Sequence, residues 1–204
     1  AQGYMSNPTP DRRKPDLAAV GCGIVTAAPT VSGNSCGTVD LLSVCATSFA
    51  APQAAATAAL ARQYYVDGLY KGVSRQPTGS LVKATLINSA QDVTGQADFP
   101  SVREGWGVVR LDRTLAFPDS DRDLWIEDVR NTDTQALQTG DERTYTFVVQ
   151  SDSQPLKVTL VWTDPEGPAG DSTLKNNLDL EVSSPPGTSG VVTYLGNRFN
   201  ASIG

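Results

Sequence analysis

The chain has 204 residues, of which 39% are hydrophobic and 19% charged, a balance typical of a folded protein with one large domain or two modest ones. Its net charge of −6 lies in the second half: residues 1–118 carry ten basic and eight acidic side chains, and residues 119–204 carry six and fourteen. An acidic second half argues against a nucleic-acid partner, because phosphate binding needs basic patches. No apolar stretch approaches the roughly 18 residues of a membrane span and no signal peptide is predicted, so we expect no membrane partner.

The first half is predicted to alternate between strands and helices. Residues 24–27 have a β-type pattern and residues 28–39 are rich in turn formers, which indicates a surface loop. Residues 48–66 predict a helix that is apolar all round and therefore central and buried, with Pro52 tolerated in its first turn. The pair Tyr64 and Tyr65 is expected where this helix emerges into solvent.

A second helix is predicted over 80–90, with Thr78 or Ser80 as its N-cap. A glycine-flanked apolar turn follows at 105–109, and a short helical end at 111–116.

After residue 118 the apolar period changes to two. Five short segments alternate polar and apolar residues between turn formers, and they are 124–129, 144–149, 156–162, 178–182 and 191–195. Such a pattern indicates an antiparallel sandwich or barrel. One apolar face would comprise Leu156, Val158, Leu160 and Trp162, and Trp125 is expected in the core together with Trp162. The sequence thus predicts two domains, 1–118 and 119–204, with the second apparently truncated.

The three cysteines are Cys22, Cys36 and Cys45, and the chain has no histidine. None of the cysteines has the spacing of a zinc or redox motif, and three thiolates without histidine make a structural zinc site improbable. One disulfide plus one free thiol fits the count. We expect Cys22–Cys36, because it would close a loop rich in turn formers, and we expect Cys45 to be a small buried hydrophobe.

Residues 46–52, Ala-Thr-Ser-Phe-Ala-Ala-Pro, place Ser48 at the mouth of the first helix. This stretch resembles the Gly-Thr-Ser-x-Ala-x-Pro box of the subtilisin-like serine proteases, the subtilases. Three further stretches are similar to subtilase motifs and occur in the expected order: residues 8–16, the helix ending in 88–90, and 105–109. Residues 119–204 look like the jelly-roll-like module of certain secreted bacterial alkaline subtilases, notably at 156–162 and 176–180.

The resemblance implies an α/β fold, namely part of a doubly wound catalytic domain followed by a partial antiparallel β-sandwich. It implies a serine endopeptidase that acts on protein or peptide substrates, with Ser48 as the nucleophile of an acyl-enzyme and its backbone N–H as an oxyanion donor. The family's catalytic Asp and His and its oxyanion-hole Asn lie upstream of this box. We therefore expect a carboxy-terminal fragment that is inactive alone, has the missing amino-terminal part as its partner, and belongs to a secreted enzyme.

Two other interpretations stay open at this point. Ser48 could be an ordinary N-cap residue. The parent could also be a pseudoprotease whose β-rich module binds a partner without activity, an alternative motivated by Ala46 and Val20, which stand where the family has Gly and Pro.

Calcium is the cofactor that the resemblance suggests. Asp119, Asp121 and Asp123 lack the Gly and Glu that an EF-hand loop would need, and they predict a solvated linker. A better set of oxygen ligands is formed by Asp164, Asp171, Asn176, Asn177 and Asp179. Turn formation by these Asp and Asn residues is the alternative explanation.

Overall fold

The computed structural model describes residues 14–27, 41–95, 100–168, 174–187 and 190–196. Within them, two helices, one 3₁₀ turn and two small sheets follow one another. The elements in chain order are β1 (Cys22–Ala27), β2 (Leu41–Cys45), α1 (Thr47–Val66), α2 (Gly79–Ser89), a 3₁₀ turn (Leu111–Arg113), β3 (Glu181–Ser183) and β4 (Thr193–Leu195). Strand β1 pairs antiparallel with β2, and β3 pairs antiparallel with β4. The predicted loop at 28–39 lies outside the described residues.

Helix α1 confirms the predicted helix, but Pro52 is its sixth residue and lies in the second turn, so its missing N–H removes the intrahelical hydrogen bond to the Ser48 carbonyl. The expectation that the helix is buried throughout is wrong. Only Ala61, Tyr64 and Tyr65 are buried, whereas most of residues 51–60 are exposed and Leu60 keeps 58% of its surface. No described segment covers this part of the helix, so its apolar surface stays open.

The core lies at the end of α1, where the sequence predicted emergence into solvent. Tyr64 is 2% exposed and Tyr65 is fully buried, because the chain turns back after the helix at Gly68, which has φ +74°. The return brings Arg75 to donate its backbone N–H to the Tyr65 carbonyl at 3.0 Å and stacks Tyr70 edge-on against Tyr65. The buried cluster consists of Tyr64, Tyr65, Tyr70, Leu81 and Leu115.

Helix α2 begins as predicted. The Thr78 side chain accepts a hydrogen bond from the Leu81 backbone N–H at 3.0 Å, and this is an N-cap bond. The Thr78 hydroxyl in turn donates to the Asp128 carboxylate at 2.6 Å. The cap therefore links the helix to a segment fifty residues later in the chain.

The second half departs from the predicted sandwich. Residues 124–129, 144–149 and 156–162 form no strand, and only the last hairpin, β3–β4, is a regular ladder. The segment 124–128 still alternates in burial, because Leu124 and Ile126 pack against the tyrosine cluster. Trp125 points to the opposite side and is 44% exposed, and its ring centroid lies 4.7 Å from that of Tyr145. The prediction that Trp125 lies in the core is wrong.

Residues 156–163 pack with their polar side toward α2. Thr159 accepts a hydrogen bond from the Asn88 amide at 3.1 Å, and Lys157 donates its ammonium group to the Ala90 carbonyl at 3.1 Å. Burial lowers the pKa of Lys157, since the charged amine leaves water at this contact. The predicted apolar face is outward, with Leu156 60% and Val158 47% exposed, and Trp162 is half-buried. The period of two was visible in the sequence, but which side packs against α2 was not.

Candidate active site at the start of helix α1

Ser48 is the second residue of α1 and is exposed. Strand β2 ends at Cys45, Ala46 is the N-cap, and the helix begins at Thr47. The side chain of Ala46 offers no capping oxygen, and no side-chain cap bond is formed. The first backbone N–H groups of a helix have no intrahelical acceptor and carry a partial positive charge. The structure thus places an accessible hydroxyl beside uncapped amide donors.

Ala46 adopts φ −158° and ψ 152°, which is ordinary extended backbone. A glycine at this position is not required for conformational reasons, since any residue adopts these angles. One motivation for the pseudoprotease alternative is therefore weakened, because the Gly-to-Ala departure costs no backbone strain.

The residue before the helix is held against the start of β1. The Ala46 backbone N–H donates to the Gly21 carbonyl at 2.8 Å. A Cβ atom at Gly21 would lie 2.8 Å from the Ala46 oxygen and 3.2 Å from the Ala50 Cβ. Glycine thus permits this close approach, a requirement that is not visible in the sequence alone.

The disulfide joins Cys22 to Cys45, so the predicted Cys22–Cys36 pairing is wrong. The reason lies in the strand register, which sets Cys22 opposite Cys45 across the β1–β2 hairpin. Cys45 is exposed rather than a buried hydrophobe. Cys36 lies outside the described residues.

Two of the other sequence motifs contact each other, through residues 15–16 of one and 105–106 of the other. Gly105 has φ +61°, and a Cβ there would lie 2.2 Å from the Pro15 carbonyl oxygen. Gly107 has φ +100° and approaches Gln91, the second residue after α2, just as closely. The Asp16 backbone carbonyl accepts a hydrogen bond from the Trp106 backbone N–H at 2.9 Å. The Asp16 carboxylate pairs with the Lys83 ammonium group of α2 at 3.5 Å. Trp106, between these two glycines, is half-buried.

Two of the candidate calcium residues, Asp164 and Asn176, lie together in the structure. Asp164 accepts hydrogen bonds from the Lys175 backbone N–H at 2.6 Å and from the backbone and side-chain N–H groups of Asn176 at 2.9 and 2.7 Å. Partial burial raises the pKa of Asp164, but these hydrogen bonds outweigh that effect and hold it below the usual value. No cluster of three acidic, cysteine or histidine side chains suited to a metal occurs in the described ranges, and Asp171 lies outside them.

The sequence profile of the Subtilase family matches residues 3–107, a range that includes residues 8–16, the Ser48 box and the glycine pair of 105–107. The chain belongs to the subtilase family. The rest of the chain lies outside this match.

Three relatives of this subtilase are known from Dictyostelium discoideum. It is 35% identical over 195 residues to the serine protease/ABC transporter B family protein tagA. This alignment covers 86% of the chain and 11% of tagA. It is 32% identical to tagD, in an alignment that covers 87% of the chain and 13% of tagD. It is 31% identical to tagB, in an alignment that covers 85% of the chain and 12% of tagB. Both relatives carry the same description as tagA. The chain thus spans about a tenth of the length of these relatives. No solved structure matches it significantly.

No helix in the described part of the chain combines the length and the hydrophobicity needed to cross a bilayer.

Proposed function

We propose that the complete protein is a serine endopeptidase and that Ser48 is its nucleophile. The observation that carries this proposal is the exposed hydroxyl in the first turn of α1, beside uncapped helix amides and within the matched family region. A weak nucleophile such as serine needs a base, and the chain has no histidine. The base and its orienting carboxylate would come from an amino-terminal part of the same enzyme.

In the proposed reaction the Ser48 oxygen attacks a peptide carbonyl and its proton passes to that histidine. The backbone N–H of Ser48 donates to the developing oxyanion, where a helix start favours negative charge. The histidine then protonates the departing amine, and water releases the acyl group. Removal of the serine or the histidine of a subtilisin lowers kcat by about 10⁶, so the chain by itself should be inert.

The exposed surface of α1 supports an amino-terminal partner. Leu60 and the strand residues Leu41 and Leu42 keep 58%, 67% and 48% of their surface, and neighbouring alanines are exposed. We propose that the remainder of a doubly wound catalytic sheet covers them, and that the β3–β4 hairpin belongs to a β-sandwich module within residues 119–204. Slower amide hydrogen exchange over residues 50–60 in the complete protein than in this chain would support the proposal, and equal rates would contradict it.

The decisive test is labelling of the complete protein with a fluorophosphonate probe, followed by peptide mapping. Label on the Ser48 peptide, lost in Ser48→Ala but retained in the matched variant Ser43→Ala at another exposed serine, would support the protease. Absence of label in a folded parent would contradict it. That outcome would leave the alternative, a pseudoprotease-derived binding module without activity.

An oxidising compartment outside the cytosol is the proposed location, since the exposed Cys22–Cys45 disulfide would persist there. Calcium remains a second proposal for the loop around Asp164, with Asn177 and Asp179 as further oxygen ligands. The ion would have to replace the hydrogen bonds from Lys175 and Asn176. A rise in Tm with Ca²⁺ that Asp164→Asn abolishes would support calcium binding, and an unchanged Tm would contradict it.

A further inference from the structure

The disulfide lies immediately before the candidate nucleophile. Cys45 is the last residue of β2, one residue before the N-cap Ala46 and three before Ser48. Its partner Cys22 is the first residue of β1. Both cysteines are exposed in this chain.

The backbone ladder between the two strands is interrupted at this point. The pairing is regular from Ile24–Val44 to Ala27–Leu41, but the register shifts between Cys22 and Ile24, where Gly23 has φ +71°. Beyond this bulge, the disulfide and the Ala46-to-Gly21 hydrogen bond of 2.8 Å connect the serine turn to β1. The helix start has no side-chain cap, and these two links hold its N-cap turn against residues 21 and 22.

We propose that Cys22 and Cys45 are positioning residues for Ser48, and that reduction of their disulfide slows acyl transfer without unfolding the protein. This inference rests on the proposed function. A dithiol reductant delivers two electrons and two protons, the S–S bond breaks into two thiols, and the reductant is oxidised to its own disulfide. Ser48 itself is chemically unchanged. The expected effect is a displaced hydroxyl, and a shift of about 1 Å at a reacting group can cost on the order of 10²-fold in rate.

The experiment uses the complete protein, oxidised or treated with a dithiol, with the thiols of Cys22 and Cys45 verified by alkylation and mass spectrometry. The fluorophosphonate labelling rate of Ser48, kcat and KM for a peptide substrate, and Tm are measured in both states. We expect the labelling rate and kcat to fall on the order of 10²-fold on reduction, with KM nearly unchanged and the protein still folded at the assay temperature.

Two variants separate this effect from general thiol chemistry. Cys36→Ser, which lacks the third cysteine, should respond to the reductant like the wild type. Cys22→Ser/Cys45→Ser should be slow in both states and insensitive to the reductant. A labelling rate unchanged after verified reduction would overturn the positioning role while leaving the protease proposal intact.

A labelling rate that falls only when the protein also unfolds would overturn the inference too, because the disulfide would then be a stabilising cross-link without a positioning role. Absence of any label at Ser48 in the oxidised protein is a different result. It would overturn the proposed function itself, and the positioning role with it.

Discussion

The hydroxyl pair Tyr65–Thr85 joins α1 to α2 in the core and predicts an asymmetric response to mutation. The two oxygens are 2.8 Å apart, and the Thr85 hydroxyl also donates to the Leu81 carbonyl at 2.9 Å. Since Thr85 has only one proton, Tyr65 is the donor in the pair. Tyr65→Phe removes that donor and leaves Thr85 with its own donated bond intact. Thr85→Val strands the buried Tyr65 hydroxyl without an acceptor.

The two variants should therefore differ in the free energy of unfolding. We expect Tyr65→Phe to cost about 0.5–1.5 kcal/mol, the usual net contribution of one hydrogen bond, and Thr85→Val to cost about 1–3 kcal/mol, because an unsatisfied buried donor remains. The double variant should cost less than the sum by at least about 0.5 kcal/mol, since no stranded group is left. Tyr194→Phe, at a 62% exposed tyrosine, is the matched control and should stay within about 0.5 kcal/mol of the wild type.

Urea unfolding followed by far-UV circular dichroism measures these differences. A Tyr65→Phe cost equal to or above that of Thr85→Val, or strict additivity in the double variant, would refute the assigned hydrogen-bond direction.

The free energy of unfolding measured at increasing pH tests the burial of the Tyr65 ring. Burial raises the pKa of Tyr65 from 10.0 to about 12. A raised pKa in the folded state gives stability that is complete below pH 10 and is lost as the pH rises toward 12. Tyr65→Phe should reduce this alkaline loss but not remove it, because burial also raises the pKa of Tyr64.

Three further outcomes are expected. Asn88→Ala should lower the free energy of unfolding in urea by about 1–3 kcal/mol. It removes the acceptor of the buried Thr114 hydroxyl and the donor to the Lys157 carbonyl and the Thr159 hydroxyl. A loss below about 0.5 kcal/mol, within the range of surface substitutions, would contradict this. Gly21→Ala should lower both Tm and the Ser48 labelling rate of the complete protein, whereas Gly79→Ala, with no atom within 4 Å of the added methyl, should lower neither. The backbone amide signal of Lys175 should shift as the pH falls through the lowered pKa of Asp164, and a signal unchanged between pH 5 and pH 2 would argue against the hydrogen bond.

The local elements of the first half could be predicted because their signals are local. The alanine run, Pro52 and the Thr78 cap place α1 and α2 close to their observed ends. The small-residue box at 46–52 places Ser48 at the start of α1, and the role of Ser48 as nucleophile stays a prediction. These features need no knowledge of distant partners.

Features that depend on distant partners were not readable from the sequence. Tyr64 and Tyr65 are buried because the turn at Gly68 brings Tyr70 back onto them. Cys22 pairs with Cys45 because the hairpin register sets the two cysteines opposite each other, which loop composition does not indicate. The segments 124–129, 144–149 and 156–162 alternate apolar and polar residues but form no strand. Alternation predicts which face of a segment is apolar, but it does not identify the strand with which the segment would pair.

The packing of Leu124 and Ile126 on the tyrosine cluster has a consequence for where the polypeptide can be cut. The charge distribution changes at residue 118, but the hydrophobic contacts continue past it, and Arg130 still donates to the Gln76 carbonyl at 2.7 Å. A recombinant fragment that stops at residue 118 would lack Leu124 and Ile126 and would leave the side of the tyrosine cluster that they cover open to solvent. Extending the expression boundary beyond residue 130 would retain the residues that close the core.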